Sequence, residues 1–125
     1  MPWLKFPPHQ CLILLLTLFI YGCNESSHDI EIHLQAWYSN TPVIVFLDNS
    51  LVMVDTVSTG SIIGVAEIIP MNISEGKHKL YVKANGNAEY EEEFDISSTL
   101  YVGVSYDSSQ SNISFYFQRE QFYYD

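Results

Sequence analysis

The chain has 125 residues, with 15 acidic against 5 basic side chains and a formal net charge of −10 at pH 7. That length holds one domain, and the acidic balance disfavours a nucleic-acid partner, which needs clustered basic residues. Two cysteines, both within the first 23 residues, leave the rest of the chain without any disulfide.

The first element in chain order is a leader. After MPWLKFPPHQ, whose only basic side chain is Lys5, comes the apolar run CLILLLTLFIYGC from Cys11 to Cys23. A basic start, an apolar middle and a small-residue end make up a secretory signal. As a helix, Cys11 to Tyr21 rises only about 17 Å, against a hydrocarbon core of about 30 Å, so it is too short to span a bilayer.

The tetrapeptide Ile20-Tyr21-Gly22-Cys23 resembles the lipobox of bacterial lipoprotein signal peptides, with Tyr21 standing where that family usually has a small residue. The resemblance implies that the Cys23 thiol carries a diacylglycerol with acyl chains of the palmitate type, and that cleavage before Cys23 makes it the first mature residue. Residues 1–22 are then the signal peptide, 23–28 a lipidated tether and 29–125 the domain. An ordinary secretory signal cut near Gly22, giving a soluble domain without lipid, is the alternative. Lipidation implies a protein of the bacterial cell envelope, and Asn24 after the cysteine is similar to the outer-membrane sorting signal of some enteric bacteria, which implies the outer membrane rather than the inner one if the cell is Gram-negative. Two acyl chains anchor stably where one is marginal, and the acidic domain would be repelled by anionic headgroups. The lipid rather than the charge would therefore hold it at the membrane.

Asp29 to Trp37 alternates, with Ile30, Ile32, Leu34 and Ala36 on one face and Glu31, His33, Gln35 and Trp37 on the other, which predicts a half-buried strand. Pro42 to Asp48 is apolar on both faces, as a central strand requires, and Asp48-Asn49-Ser50 turns the chain into a return strand over 51–57. A loop over 58–61 leads into a predicted strand from Ile62 to Ile69, interrupted at Gly64 and ended by Pro70. Residues 71–76 then read as a connection between sheets, with Ile73 plugging the edge.

Lys77 to Ala84 and Ala88 to Ile96 form the next hairpin, around Asn85-Gly86-Asn87. A two-residue turn at Asn85-Gly86 is the usual geometry for that pair, but it breaks up the charges across the strands. A three-residue loop sets Lys83 opposite Glu89, Tyr81 opposite Glu91, Lys79 opposite Glu93 and Lys77 opposite Asp95. Each opposite-charge pair contributes roughly 0.2 to 1 kcal/mol, so the second register is expected, with Asn87 in the left-handed position. A third hairpin joins strands over 100–106 and 112–118.

Seven to eight short strands with turn signals between them predict an all-β fold, an antiparallel β-sandwich. The pattern loosely resembles immunoglobulin-like and transthyretin-like sandwiches at Glu75-Gly76-Lys77-His78-Lys79-Leu80. That is a likeness of fold, which transfers no function.

No catalytic or cofactor motif is present. His9, His28, His33 and His78 show no HxH or HExxH spacing, and no serine sits in a GxSxG context. Neither an enzyme, a cofactor nor a metal is therefore expected. Alternation turns Glu92 towards the apolar face, and an edge strand that lets it reach water explains it more simply than an acid–base role. The triplets Asn72-Ile73-Ser74 and Asn112-Ile113-Ser114 match the glycosylation pattern, which carries no weight in a bacterial lipoprotein.

The binding candidates are aromatic: Trp37, Tyr123 and Tyr124, the last two in the tail FYFQREQFYYD. The competing expectation is that this tail closes the sandwich, with Phe115 and Phe117 in the core. The sequence thus predicts a lipid-anchored, non-catalytic binding or structural module, attached to the membrane through Cys23. Its partner would be an envelope protein or, alternatively, a glycan held by exposed aromatics.

Overall fold

Strands form where side chains alternate between a dry and a wet face, and the computed structural model, which describes residues 26–60 and 64–124, has eight of them. They are β1 (Ser27–Leu34), β2 (Thr41–Leu47), β3 (Ser50–Val57), β4 (Glu67–Ser74), β5 (Gly76–Ala84), β6 (Ala88–Ile96), β7 (Leu100–Asp107) and β8 (Asn112–Gln118). They make two four-stranded sheets, β4-β1-β7-β8 and β3-β2-β5-β6, packed face to face as a β-sandwich. All neighbouring pairs are antiparallel except β1 with β7, which run parallel.

The four central strands supply the driest part of the core. Ile30, Ile32 and Leu34 of β1, Val43 and Val45 of β2, Leu80, Val82 and Ala84 of β5, and Val102 and Val104 of β7 are fully buried. Burying a Val, Leu or Ile side chain contributes about 1.5 to 3 kcal/mol. Tyr38 joins them, donating its hydroxyl to the Val104 carbonyl at 3.1 Å and stacking on Tyr106 at 5.8 Å between centroids. Burial, followed by the nearby Tyr106, pushes the Tyr38 phenol well above its ordinary range.

The β2–β3 hairpin turns at Asp48 and Asn49, whose φ values of 51° and 65° are left-handed, the geometry of a tight hairpin turn. β1 begins at Ser27 and ends at Leu34, so it takes in two residues assigned to the tether and stops three short of Trp37.

The expected strand end at Pro70 is wrong. β4 runs through Pro70, which lies opposite Glu31, because β4 is the edge of its sheet and a proline is tolerated where only one side of a strand is paired. Ile62 and Ile63 lie outside the described residues, and Gly64, at φ 77°, precedes the strand. The expected six-residue connection shrinks to Glu75, and the chain changes sheets at Gly76, whose φ of 113° is open only to glycine at low cost. Ile73 is buried, inside the strand rather than in a loop.

In the β5–β6 hairpin the charge-matched register holds from Lys77↔Asp95 to Ala84↔Ala88. The left-handed residues are Asn85 and Gly86, at φ 56° and 72°, and not Asn87. Asn87 N–H donates back to the Ala84 carbonyl at 3.4 Å. The tight Asn-Gly turn therefore forms, and Asn87 is the extra residue that shifts the strands into charge register. Strand twist makes the contacts diagonal: Lys79 Nζ lies 3.9 Å from Glu91, and Tyr81 donates its hydroxyl to Glu89 at 2.6 Å.

Candidate functional site

The outer face of the β4-β1-β7-β8 sheet carries most of the polar and aromatic chemistry. Alternation along β1 puts Glu31 and His33 there, and Gln35 follows on the same side. Although on an outer face, His33 is only 3% exposed, because the segment after β8 folds back over it. Phe122 meets its ring edge-on at 5.1 Å, and Tyr124 stacks on it at 5.8 Å.

The hydrogen bonds form one chain. Gln35 Nε2 donates to the Tyr124 hydroxyl at 3.0 Å, that hydroxyl lies 2.8 Å from His33 Nδ1, and His33 Nε2 lies 2.9 Å from Glu31 Oε1. The tautomer that satisfies every partner has Tyr124 donating to Nδ1 and Nε2–H donating to Glu31. Burial raises the Tyr124 phenol, Gln35 offsets part of this, and the Glu31 charge adds to the rise. Both imidazole nitrogens are thus engaged, and the cluster clasps the tail to the sheet. Gly103 makes room for it: a Cβ there would lie 2.8 Å from Gln35 Cδ.

Tyr124 is therefore half-buried with its hydroxyl engaged, whereas Tyr123 is 86% exposed and Trp37 75% exposed. Trp37 stands at the other end of the same face. Its N–H donates to the Tyr106 carbonyl at 2.9 Å, which fixes it beside β7. There it lines a shallow groove of about 270 Å³ with Ser105, Tyr106, Asp107, Asn112 and Ser114. Asp107 pairs with Asn112 and Ser105 with Ser114 across the β7–β8 ladder. The Asp107 carboxylate is positioned by Ser109, whose N–H and hydroxyl both donate to Oδ1, at 3.0 and 2.6 Å. The Ser109 hydroxyl, with help from backbone N–H groups, holds Asp107 below its ordinary pKa.

The outer face of the other sheet is banded. β3 and β2 turn Leu51, Val54, Ile44 and Phe46 outward, with Leu51 opposite Phe46 and Val54 opposite Ile44. Leu51 and Val54 are exposed. Phe46 lies opposite Tyr81 with ring centroids 6.0 Å apart. Lys77, Lys79 and Lys83 follow on β5, and Glu89, Glu91, Glu93 and Asp95 stand exposed on β6. Apolar, basic and acidic bands succeed one another across a single sheet.

Glu92 is half-buried on edge strand β6 and accepts the Tyr90 hydroxyl at 2.7 Å. His78 bridges two turns: Nδ1 lies 2.5 Å from Asp48 Oδ2, and Nε2 lies 2.5 Å from the Ser74 carbonyl. Burial opposes its protonation, but the Asp48 hydrogen bond, the Ser74 carbonyl and the Asp48 and Asp95 charges outweigh it and raise the pKa. His33 and His78 belong to different sheets. Among the described residues no group of three or more His, Cys, Asp or Glu is placed to hold a metal ion. Phe115 and Phe117 face inward, half-buried, against Tyr90 and Phe94. Cys23, the lipid attachment candidate, lies outside the described residues.

No protein-family model and no curated protein matches the sequence.

Proposed function

We propose that this chain is a lipid-anchored protein of the bacterial envelope, held at the membrane by acyl chains on Cys23, whose β-sandwich is a non-catalytic module that recognises another protein. The anchor rests on the apolar run closed by Ile20-Tyr21-Gly22-Cys23. With β1 beginning at Ser27, three residues separate it from Cys23, a reach of about 10 Å extended. The sandwich would stand close to the headgroups.

The observation that carries recognition is the banded sheet face. Exposed Leu51 and Val54 with Phe46 and Tyr81 supply apolar contact, and aromatic rings of this kind are enriched at interfaces. The Glu89, Glu91, Glu93 and Asp95 band selects a basic rim on the partner by charge complementarity, which acts mainly on specificity and association rate.

A photo-crosslinking residue placed at Val54 tests this in cells, with the same residue at Asn72 on the other sheet as control. The reading predicts a discrete adduct from position 54 that fades at high ionic strength and on Glu91→Lys. Adducts from position 72 alone, or an adduct at 54 indifferent to salt and to Glu91→Lys, would contradict it.

A further inference from the structure

The groove beside Trp37 lies on the opposite face from the apolar and charged bands, and its chemistry differs. Its floor and walls are Ser105, Asp107, Asn112 and Ser114, all turned outward on adjacent strands, with Tyr106 beneath and the indole of Trp37 as one side. Among the described residues, Asp107 is the only charged one lining it. That carboxylate disfavours phosphates and carboxylates, and a rim of hydroxyls and amides suits neither lipid nor an apolar peptide.

A flat indole, 75% exposed, beside an ionised carboxylate, an amide and two hydroxyls is complementary to one class of ligand. A pyranose ring offers an apolar C–H face to the indole and hydroxyls to the polar groups along its edge. At about 270 Å³ the groove sits just below the ~300 to 1,000 Å³ of ordinary small-molecule sites, room for one ring rather than a cofactor. Ser109 already fixes Asp107 Oδ1 with two hydrogen bonds, so the acceptor is oriented before any ligand arrives. Preorganisation of this kind lowers the ordering cost of binding.

The surface continues past the groove. Tyr116, two residues along β8 from Ser114, is 62% exposed on the same face, opposite Gly103. Two residues of strand advance about 7 Å, which brings a second ring within reach of a neighbouring sugar. Phe122 lies beyond it, 6.4 Å from Tyr116 between centroids. We propose that the Trp37 groove is a saccharide-binding site, with Asp107 and Asn112 as hydroxyl-recognising groups and Tyr116 as the platform for a second sugar unit.

The sequence has two tryptophans, Trp3 and Trp37, so Trp3→Phe leaves Trp37 as the sole indole reporter in the full chain. That chain, in a detergent without a sugar headgroup, is titrated with purified glucose-, xylose- and N-acetylhexosamine-based oligosaccharides of one to four rings, and with tetramethylammonium as a cationic control. The proposal predicts a saturable change in Trp37 emission with at least one series. Affinity should fall at least tenfold in Asp107→Ala and, for two or more rings, in Tyr116→Ala, while Thr56→Ala, exposed on β3 of the other sheet, leaves it unchanged. Calorimetry on Trp37→Ala should show binding lost with the thermal transition retained. No emission change with any saccharide, binding that survives Trp37→Ala, affinity undiminished in Asp107→Ala, or tetramethylammonium binding as well as the sugars would each overturn it.

Discussion

Tyr124→Phe removes one oxygen from the tail clasp and leaves every ring contact in place. His33, 3% exposed, then has a ring nitrogen without a partner, and Gln35 loses its acceptor. A buried polar group left unsatisfied costs about 1 to 3 kcal/mol. Gln35 is only half-buried and can turn to water, so the loss at His33 sets the scale. If the tail instead lifts away and water reaches His33, the cost is capped by the docking energy of Phe122 and Tyr124. The expected loss is therefore about 1 to 2 kcal/mol. For a domain of this size each kcal/mol lowers the midpoint by about 4 to 8 °C, so Tm should fall by roughly 4 to 16 °C. Urea and thermal unfolding of the full chain in mild detergent provide the assay, with Tyr123→Phe as control, since that residue is 86% exposed and its change should be nearly neutral. If Tyr124→Phe unfolds together with Tyr123→Phe, the clasp does not hold the tail and the reasoning fails.

Gly103→Ala should displace the Gln35 side chain and loosen the same clasp by about 1 kcal/mol, and the loss should vanish in a Gln35→Ala background, which a double-mutant cycle reads directly. His78 has a folded-state pKa raised above its ordinary value, so its contribution is fully present below pH ~6.5 and is lost as pH rises through the folded pKa. Urea midpoints of wild type and His78→Asn should differ most at low pH and converge when alkaline, whereas a gap that widens with pH would show that the Asp48 contact favours neutral imidazole. Tyr38→Phe removes one of two donors to the Val104 carbonyl, which keeps the Gln35 N–H at 2.9 Å, and should cost about 1 kcal/mol or less by equilibrium unfolding, with no change at the outer faces. Lys79→Ala, breaking a 3.9 Å pair at the surface, should cost under about 1 kcal/mol and lose its effect in high salt.

The parts of the fold legible in the sequence were those where neighbouring residues carry the signal. Alternation marked β5 to β8 to within a residue or two at each end, and the lysines of β5 against the carboxylates of β6 gave the register before the turn did. Pro70 misled because its meaning depends on whether the strand is an edge, which is decided by β1, about forty residues away. The parallel pairing of β1 with β7 has the same character, since alternation shows which face a strand buries but not which way its neighbour runs. Tyr38 falls further along the Ile30, Ile32 and Leu34 face, so its burial accords with the alternation even though it lies past the end of β1.

The clasp was hidden for a related reason: Tyr124 meets His33 across 91 residues of sequence. One local trace existed. Gly103 interrupts an alternating strand, and a glycine there marks a close approach by another group, which proves to be Gln35. Exposure of Trp37 did follow from alternation, since it continues the Glu31, His33 and Gln35 face. The groove around it needed the β7–β8 pairing, which brings Asp107 to Asn112 and Ser105 to Ser114.

The proposed place of this module in the cell depends on acyl chains at Cys23. Intact mass of the protein purified from its own membranes, beside a Cys23→Ala variant, tests it most directly. Lipid anchoring predicts a species that begins at Cys23 and carries added acyl mass, with no such species from the variant. A soluble, unmodified protein of the same mature length in both preparations would contradict it.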